Sequence, residues 1–183
     1  YWSDHFLIDY KHGPGQNQTG SDGISDEPYQ IDPDNYDHYP FMGPFTAFDA
    51  GTWNEVTYYV DVASNSAVSG FLFNPEQTFL SFNVVGLTGT TGFSRVAIPK
   101  NLLWTEDSWV VQVDHVPVTP TITEDEDYTY LYFNYTHSTK TVKIIGTHAV
   151  PEFPSAILMS LFMTIAMLAV AFLKKKNLRK LKP

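Results

Sequence analysis

The chain has 183 residues, of which 43% are hydrophobic and 15% aromatic; it has no cysteine and a formal charge of −9. The missing cysteines exclude disulfides, thiolate metal sites and a cysteine nucleophile. The acidic balance excludes the basic footprint that a nucleic-acid partner demands.

Residues 1–45 are polar and turn-rich, with Gly, Pro, Asn and Asp crowded as in KHGPGQNQTGSDGISDEP, and they show no helical period. Such a stretch cannot bury much apolar surface alone. The first ten residues carry neither a basic region nor an apolar run. With no initiator Met, the sequence reads as the C-terminal part of a longer chain. Within this stretch Asp22, Asp26, Asp32, Asp34 and Asp37, with Ser25 and Asn35, concentrate oxygen donors. Hard oxygen ligands in a turn-rich loop suit calcium, although the spacing is not that of an EF-hand. The alternative is a solvated acidic loop. Copper would need softer ligands, and only His5, His12, His38 and Met42 stand nearby.

Residues 49–146 read as strands. Alternation or apolar runs mark 56–62, 68–73, 78–85, 94–98, 108–113, 128–134 and 141–145, with turn residues between them. Tyr128, Tyr130 and Tyr132 share one face of their strand, and Leu131 and Phe133 share the other, interior face. Seven short strands without βα alternation predict an all-β, seven-strand sandwich of immunoglobulin or fibronectin type. Residues 124–127 form an acidic hairpin tip. Trp53, Trp104 and Trp109 are read as core or edge fillers in preference to a sugar-stacking surface. Asn17 and Asn134 begin N-x-Ser/Thr sequons and are the glycosylation candidates.

No catalytic triad is legible. Asp114 and His115 are adjacent on a strand and should face opposite ways. His137 lies in a turn among hydroxyl residues with no carboxylate near it in sequence. The expectation is a chain without enzymatic activity.

Residues 156–173 form an 18-residue run without charge, which as a helix would rise ~27 Å, close to a ~30 Å hydrocarbon core. Six of the 11 basic residues follow it, whereas the preceding 173 residues hold five basic against 20 acidic side chains. Basic flanks stay cytoplasmic. The expectation is a single-pass membrane protein with the lipid bilayer as partner, an extracellular body and a cytoplasmic C-terminus.

Three stretches resemble known families. Tyr1-Trp2-Ser3-Asp4, the stretch from Gly20 to Asp32 and Asn35 to Met42 resemble the end of a NosD-type repeat domain. That resemblance implies a right-handed parallel β-helix, with its coils upstream, and a copper-binding label. Gly89–Phe93, Val96–Lys100, Val116–Pro120 and Tyr135–Thr139 resemble a β domain of archaeal surface proteins. Pro151, Glu152, Phe153 and Pro154, with the apolar run and basic end, resemble the PEF-CTERM sorting signal, which implies an archaeosortase as partner and removal of the anchor.

The expected organisation is a β-helix terminal segment (1–48), a sandwich (49–147), a motif linker (148–155), a transmembrane helix (156–173) and a basic tail (174–183). The expected role is a non-enzymatic surface module that anchors and displays an upstream β-helix. The alternatives are a supporting part of a carbohydrate-binding or polysaccharide-acting protein, with a glycan or envelope partner, and a calcium or copper binder.

Overall fold

Between residues 45 and 145 side chains alternate between two environments, and each strand is long enough to commit one face to a core. The computed structural model describes residues 1–3, 7–150 and 162–167. Ten strands make its body: β1 Phe45–Trp53, β2 Val56–Ser64, β3 Ala67–Asn74, β4 Phe79–Val85, β5 Thr91–Pro99, β6 Val110–Val113, β7 Val116–Val118, β8 Thr121–Glu124, β9 Tyr128–Thr136 and β10 Thr139–Ile145. They form two five-stranded sheets, in the orders β8-β9-β5-β2-β1 and β7-β6-β10-β4-β3.

The core lies between the sheets. Val60, Val62, Val96, Ile98, Leu131 and Phe133 of the first sheet are buried, as are Leu80, Phe82, Val84, Val111, Val142 and Ile144 of the second. All are apolar and sit at every second position of their strands, as a half-buried sheet requires. Trp109 joins this cluster, and Trp53 packs against it, edge-on to Phe73 at 5.6 Å. Trp104 stacks instead on His148 at 4.9 Å. Residues Tyr1–Val150 make one compact unit, and Pro151–Pro183 a second. The first includes Val150, which is buried and donates its N–H to Leu102 O at 2.7 Å.

Two expectations are corrected. The seven-strand immunoglobulin- or fibronectin-like sandwich becomes ten strands in two five-stranded sheets. The three added strands, β1, β7 and β8, all lie at sheet edges. Pro117 sits inside β7, Pro120 immediately precedes β8, and β1 carries a register shift between Asp49 and Gly51. Proline and a bulge glycine are tolerated at edges, where they blur the strand signal.

Residues 7–43 are expected to be the turn-rich terminal segment of a β-helix whose coils lie upstream. They hold two short hairpins, Lys11–His12 with Gln18–Thr19 and Tyr29–Asp32 with Asn35–Asp37, and an isolated Ile24–Phe41 bridge. Every strand pair among the described residues is antiparallel.

The second correction concerns the membrane. Of the second unit the structure describes helical residues 162–167. No helix among the described residues is long and apolar enough to cross a membrane. The single-pass placement, with a lipid bilayer as partner, an extracellular body and a cytoplasmic tail, therefore does not stand. The archaeosortase implied by the resemblance at Pro151, Glu152, Phe153 and Pro154 rests on residues outside those described. Pro151, Glu152, Phe153 and Pro154, the remainder of 156–173 and the basic tail lie outside the described residues.

Candidate functional site

The outer face of the β8-β9-β5-β2-β1 sheet carries the chain's most unusual chemistry. Register places Tyr132, Arg95, Ala63 and Phe45 in one row across β9, β5, β2 and β1. The next row reads Tyr130, Ala97, Asp61 and Ala47. Small alanines thus floor a trough between aromatic walls, with one cation and one carboxylate set into it.

Arg95 is the cation, and it is only 9% exposed. Its guanidinium lies 4.2 Å from the Tyr130 ring centroid and 5.7 Å from that of Phe41. Its Nε has no hydrogen-bond partner, and no carboxylate comes within ion-pair distance among the described residues. Desolvation lowers its pKa, while the nearby charge of Asp22 and, to a lesser degree, Asp125 and Asp9 opposes that. Gly23 closes over it. A Cβ at Gly23, whose φ is +83°, would stand 3.0 Å from Arg95 Cβ. Only glycine combines that backbone with so close an approach.

The N-terminal segment supplies this cover through an aspartate network. Asp9 Oδ2 accepts the Gly23 N–H at 2.9 Å and Oδ1 accepts that of Asp22 at 3.1 Å. Burial pushes Asp9 up to about 6 despite those two bonds. Asp22, only 4% exposed, accepts from Gln16 Nε2 at 2.8 Å and from Ile24 N at 3.1 Å. Met42 N–H to Gly23 O (2.9 Å) and Ser25 N–H to Pro40 O (2.8 Å) tie the loop to the strand entering the sandwich. On the opposite side Tyr130 donates its hydroxyl to Asp125, whose other oxygen accepts the Tyr128 N–H at 2.7 Å. Desolvation, reinforced by the Asp125 bond, pushes Tyr130 up to about 12.

Asp61 is the carboxylate. It is half-buried, and it has no hydrogen-bond or ion-pair partner among the described residues. Desolvation raises its pKa. A cavity of 320 Å³ joins it to Phe41, Phe45, Arg95, Tyr128 and Tyr130. A second cleft, of 410 Å³ beside Trp104 and Trp109, has its charges already paired, Lys100 Nζ to Glu124 Oε2 at 3.1 Å.

A buried hydroxyl–imidazole network lies at the other end of the sandwich. Ser66 Oγ stands 2.8 Å from His137 Nε2, and the two residues are 8% and 7% exposed. Thr90 Oγ1 donates to Leu87 O at 2.7 Å, so it accepts from the His137 Nδ1–H, which leaves Nε2 to accept from Ser66. Tyr135 Oη contacts Ser66, Ser94 and Ser64 at 2.9, 3.1 and 3.2 Å. The Ser66–His137 distance suits a nucleophile–base pair. The imidazole is oriented by a threonine, however, and the lining of the clefts described above includes neither residue.

The oxygen-rich residues singled out in sequence disperse their lone pairs. Asp26 accepts from Tyr10 N at 2.9 Å. Asp32 accepts from Asp34 N at 3.0 Å and from the Asn35 amide. Asp37 accepts from Trp2 Nε1 at 2.9 Å and from Tyr39 N at 3.1 Å. Asp34 is exposed. No group of three or more His, Asp or Glu side chains able to hold a metal ion comes together among the described residues. His5 lies outside them. Asn17 and Asn134 are both exposed, and Asn134 Oδ1 accepts the Tyr132 hydroxyl at 3.0 Å.

Arg95, Asp61, Asp9 and the Ser66–His137 contact escaped sequence reasoning. A signal existed for two of them: Asp61 in VTYYVDVA and Arg95 in FSRVAI are lone charges inside otherwise uncharged strands. Taken together, fold and site define an all-β, two-sheet sandwich with an occluded cation on one outer face. No protein-family model, no curated protein and no solved structure matches the chain.

Proposed function

We propose that the chain is a non-enzymatic structural module, in which the sandwich seats the turn-rich N-terminal segment and holds it in one direction for display. The observation that carries this reading is the closure of Gly23 over Arg95, because it ties residues 7–43 to the centre of a sheet. A polar segment that folds on itself gains little burial. This one gains it by packing on the stem of a cation and on an aromatic ring row that the sandwich supplies. The non-enzymatic reading is supported by the hydroxyl network: His137 has both nitrogens bonded to hydroxyl groups, of the buried Ser66 and of Thr90, and no carboxylate among those partners.

Hydrogen exchange on the full chain tests the proposal. Amides of 7–43 are expected to be protected together with those of β5 and β9. Gly23→Ala should release the segment while leaving the β4 and β10 amides protected. Free exchange of 7–43 in the unaltered protein would overturn the reading.

A further inference from the structure

We propose that the trough beside this junction is a binding site for a small zwitterion, an α-amino acid whose carboxylate meets Arg95 and whose ammonium meets Asp61, with an apolar side chain against the tyrosine wall. Two opposite charges line one 320 Å³ cavity, and neither has an ion-pair partner among the described residues. An unpaired charge held away from water is costly, and a ligand that pairs both charges relieves both costs at once.

Charge selects among ligand classes. A purely cationic ligand would face Arg95, which already covers one face of Tyr130. A purely anionic ligand would face Asp61, with Asp22 and Asp125 close behind Arg95. An uncharged ligand would leave both groups without a counter-charge. A zwitterion offers the carboxylate that a guanidinium binds best and the ammonium that a carboxylate flanked by aromatic rings binds best.

Size and shape agree. The cavity lies at the lower end of the ~300–1,000 Å³ range of small-molecule sites, so it takes a molecule of amino-acid size. Phe45 on β1 stands three strand spacings from β9, roughly 14 Å, and between them Ala63 and Ala97 floor the space in which Asp61 and Arg95 stand. Tyr128 and Tyr130 form the facing wall, their rings stacked with centroids 6.0 Å apart. The Asp125 bonds to the Tyr130 hydroxyl and the Tyr128 N–H hold that wall before any ligand arrives.

Calorimetric titration of the full chain decides it, with L-phenylalanine and L-leucine as probes. Phenethylamine and 3-phenylpropionate carry one charge each, and methyl glucoside carries none. Both amino acids should bind, and each singly charged analogue should bind at least ~10-fold more weakly. Asp61→Asn should weaken L-phenylalanine by ~10-fold and leave 3-phenylpropionate unweakened. Tyr128→Ala, at the cavity rim, gives a second variant that should weaken both. No heat with either amino acid would overturn the proposal. So would phenethylamine matching L-phenylalanine, L-phenylalanine binding that neither substitution alters, or methyl glucoside binding that Asp61→Asn abolishes.

Discussion

The Arg95 guanidinium lies over the Tyr130 ring although the two residues are not register partners: Arg95 pairs with Tyr132, and Tyr130 with Ala97. The contact is diagonal across β5 and β9, and the small Ala97 side chain leaves room for it. Through it Arg95, Tyr130, Asp125 and the Gly23 loop become one coupled unit. Their substitution effects should therefore not add.

The first prediction concerns that cation. Arg95→Ala removes the stem that fills the space beneath Gly23, and it should cost about 3 kcal/mol in denaturant unfolding. Arg95→Met keeps most of the packing and discards an unpaired charge, so its cost should be under about 1.5 kcal/mol. Equal losses in the two variants would show that the charge itself, and not the stem, holds the segment.

Gly92 should tolerate no side chain. A Cβ there would stand 2.6 Å from His137 Cδ2, with the Tyr135 ring closer still. The imidazole cannot withdraw, because both its nitrogens are bonded. Gly92→Ala is expected to destabilise by about 2–3 kcal/mol or more. Gly89→Ala meets open space and carries only the strain of φ +87°, so it should cost about 1 kcal/mol. Thermal melts of the two variants should separate clearly.

Ser66→Ala deletes the donor to His137 Nε2 and leaves a buried acceptor unsatisfied. A loss of about 1–3 kcal/mol is expected. Because the hydroxyl reads as structural, a serine-directed acylating reagent should leave the unaltered protein unlabelled at Ser66. Stoichiometric labelling there, read by peptide mass, would contradict the non-enzymatic reading.

Stability should peak on the acidic side of neutral. Burial raises Asp9 to about 6 from 3.8 and raises Asp61 in the same direction. A carboxyl whose folded pKa exceeds its unfolded value binds more protons in the native state, so stability rises as pH falls from 7 through 6. Asp114 is held below 3.8, first by the Thr141 backbone bond, and Asp125 first by the Tyr130 hydroxyl. Their contributions are present above 3.8 and are lost as pH falls below it. The melting temperature should therefore rise from pH 7 to about pH 5 and drop by pH 3. A melting temperature that falls between pH 7 and pH 5 would show that Asp9 and Asp61 are not desolvated as described.

Leu131 is fully buried opposite the second sheet. Leu131→Asp places a carboxylate in an apolar core without a partner and should cost several kcal/mol, more than about 4. Ile122→Asp, on the exposed edge strand beside it in register, should change stability by less than about 1 kcal/mol.

The sequence by itself determined the all-β body and the direction of its central side chains. Period-2 alternation is a local property, so Leu131 and Phe133 could be assigned inward and Tyr128 and Tyr130 outward without tertiary information. It could not determine the strand count. Pro117, Pro120 and Gly51 weaken a local strand signal, and whether such a segment still pairs depends on the neighbour it meets at the sheet edge. Nor could it assign the oxygen-rich segment: the same aspartates that suggest an ion also satisfy backbone N–H groups, and only the folded loop shows that Asp22, Asp32 and Asp37 do the latter. The apolar composition of 156–173 is plain in sequence, yet hydropathy alone does not establish a spanning helix, and the described helical residues there number six. The meeting of Arg95, Asp61, Tyr130 and Phe41 was decided by tertiary structure alone. Each lies on a different strand or loop, and a register slip of one residue would turn any of the strand members to the opposite face.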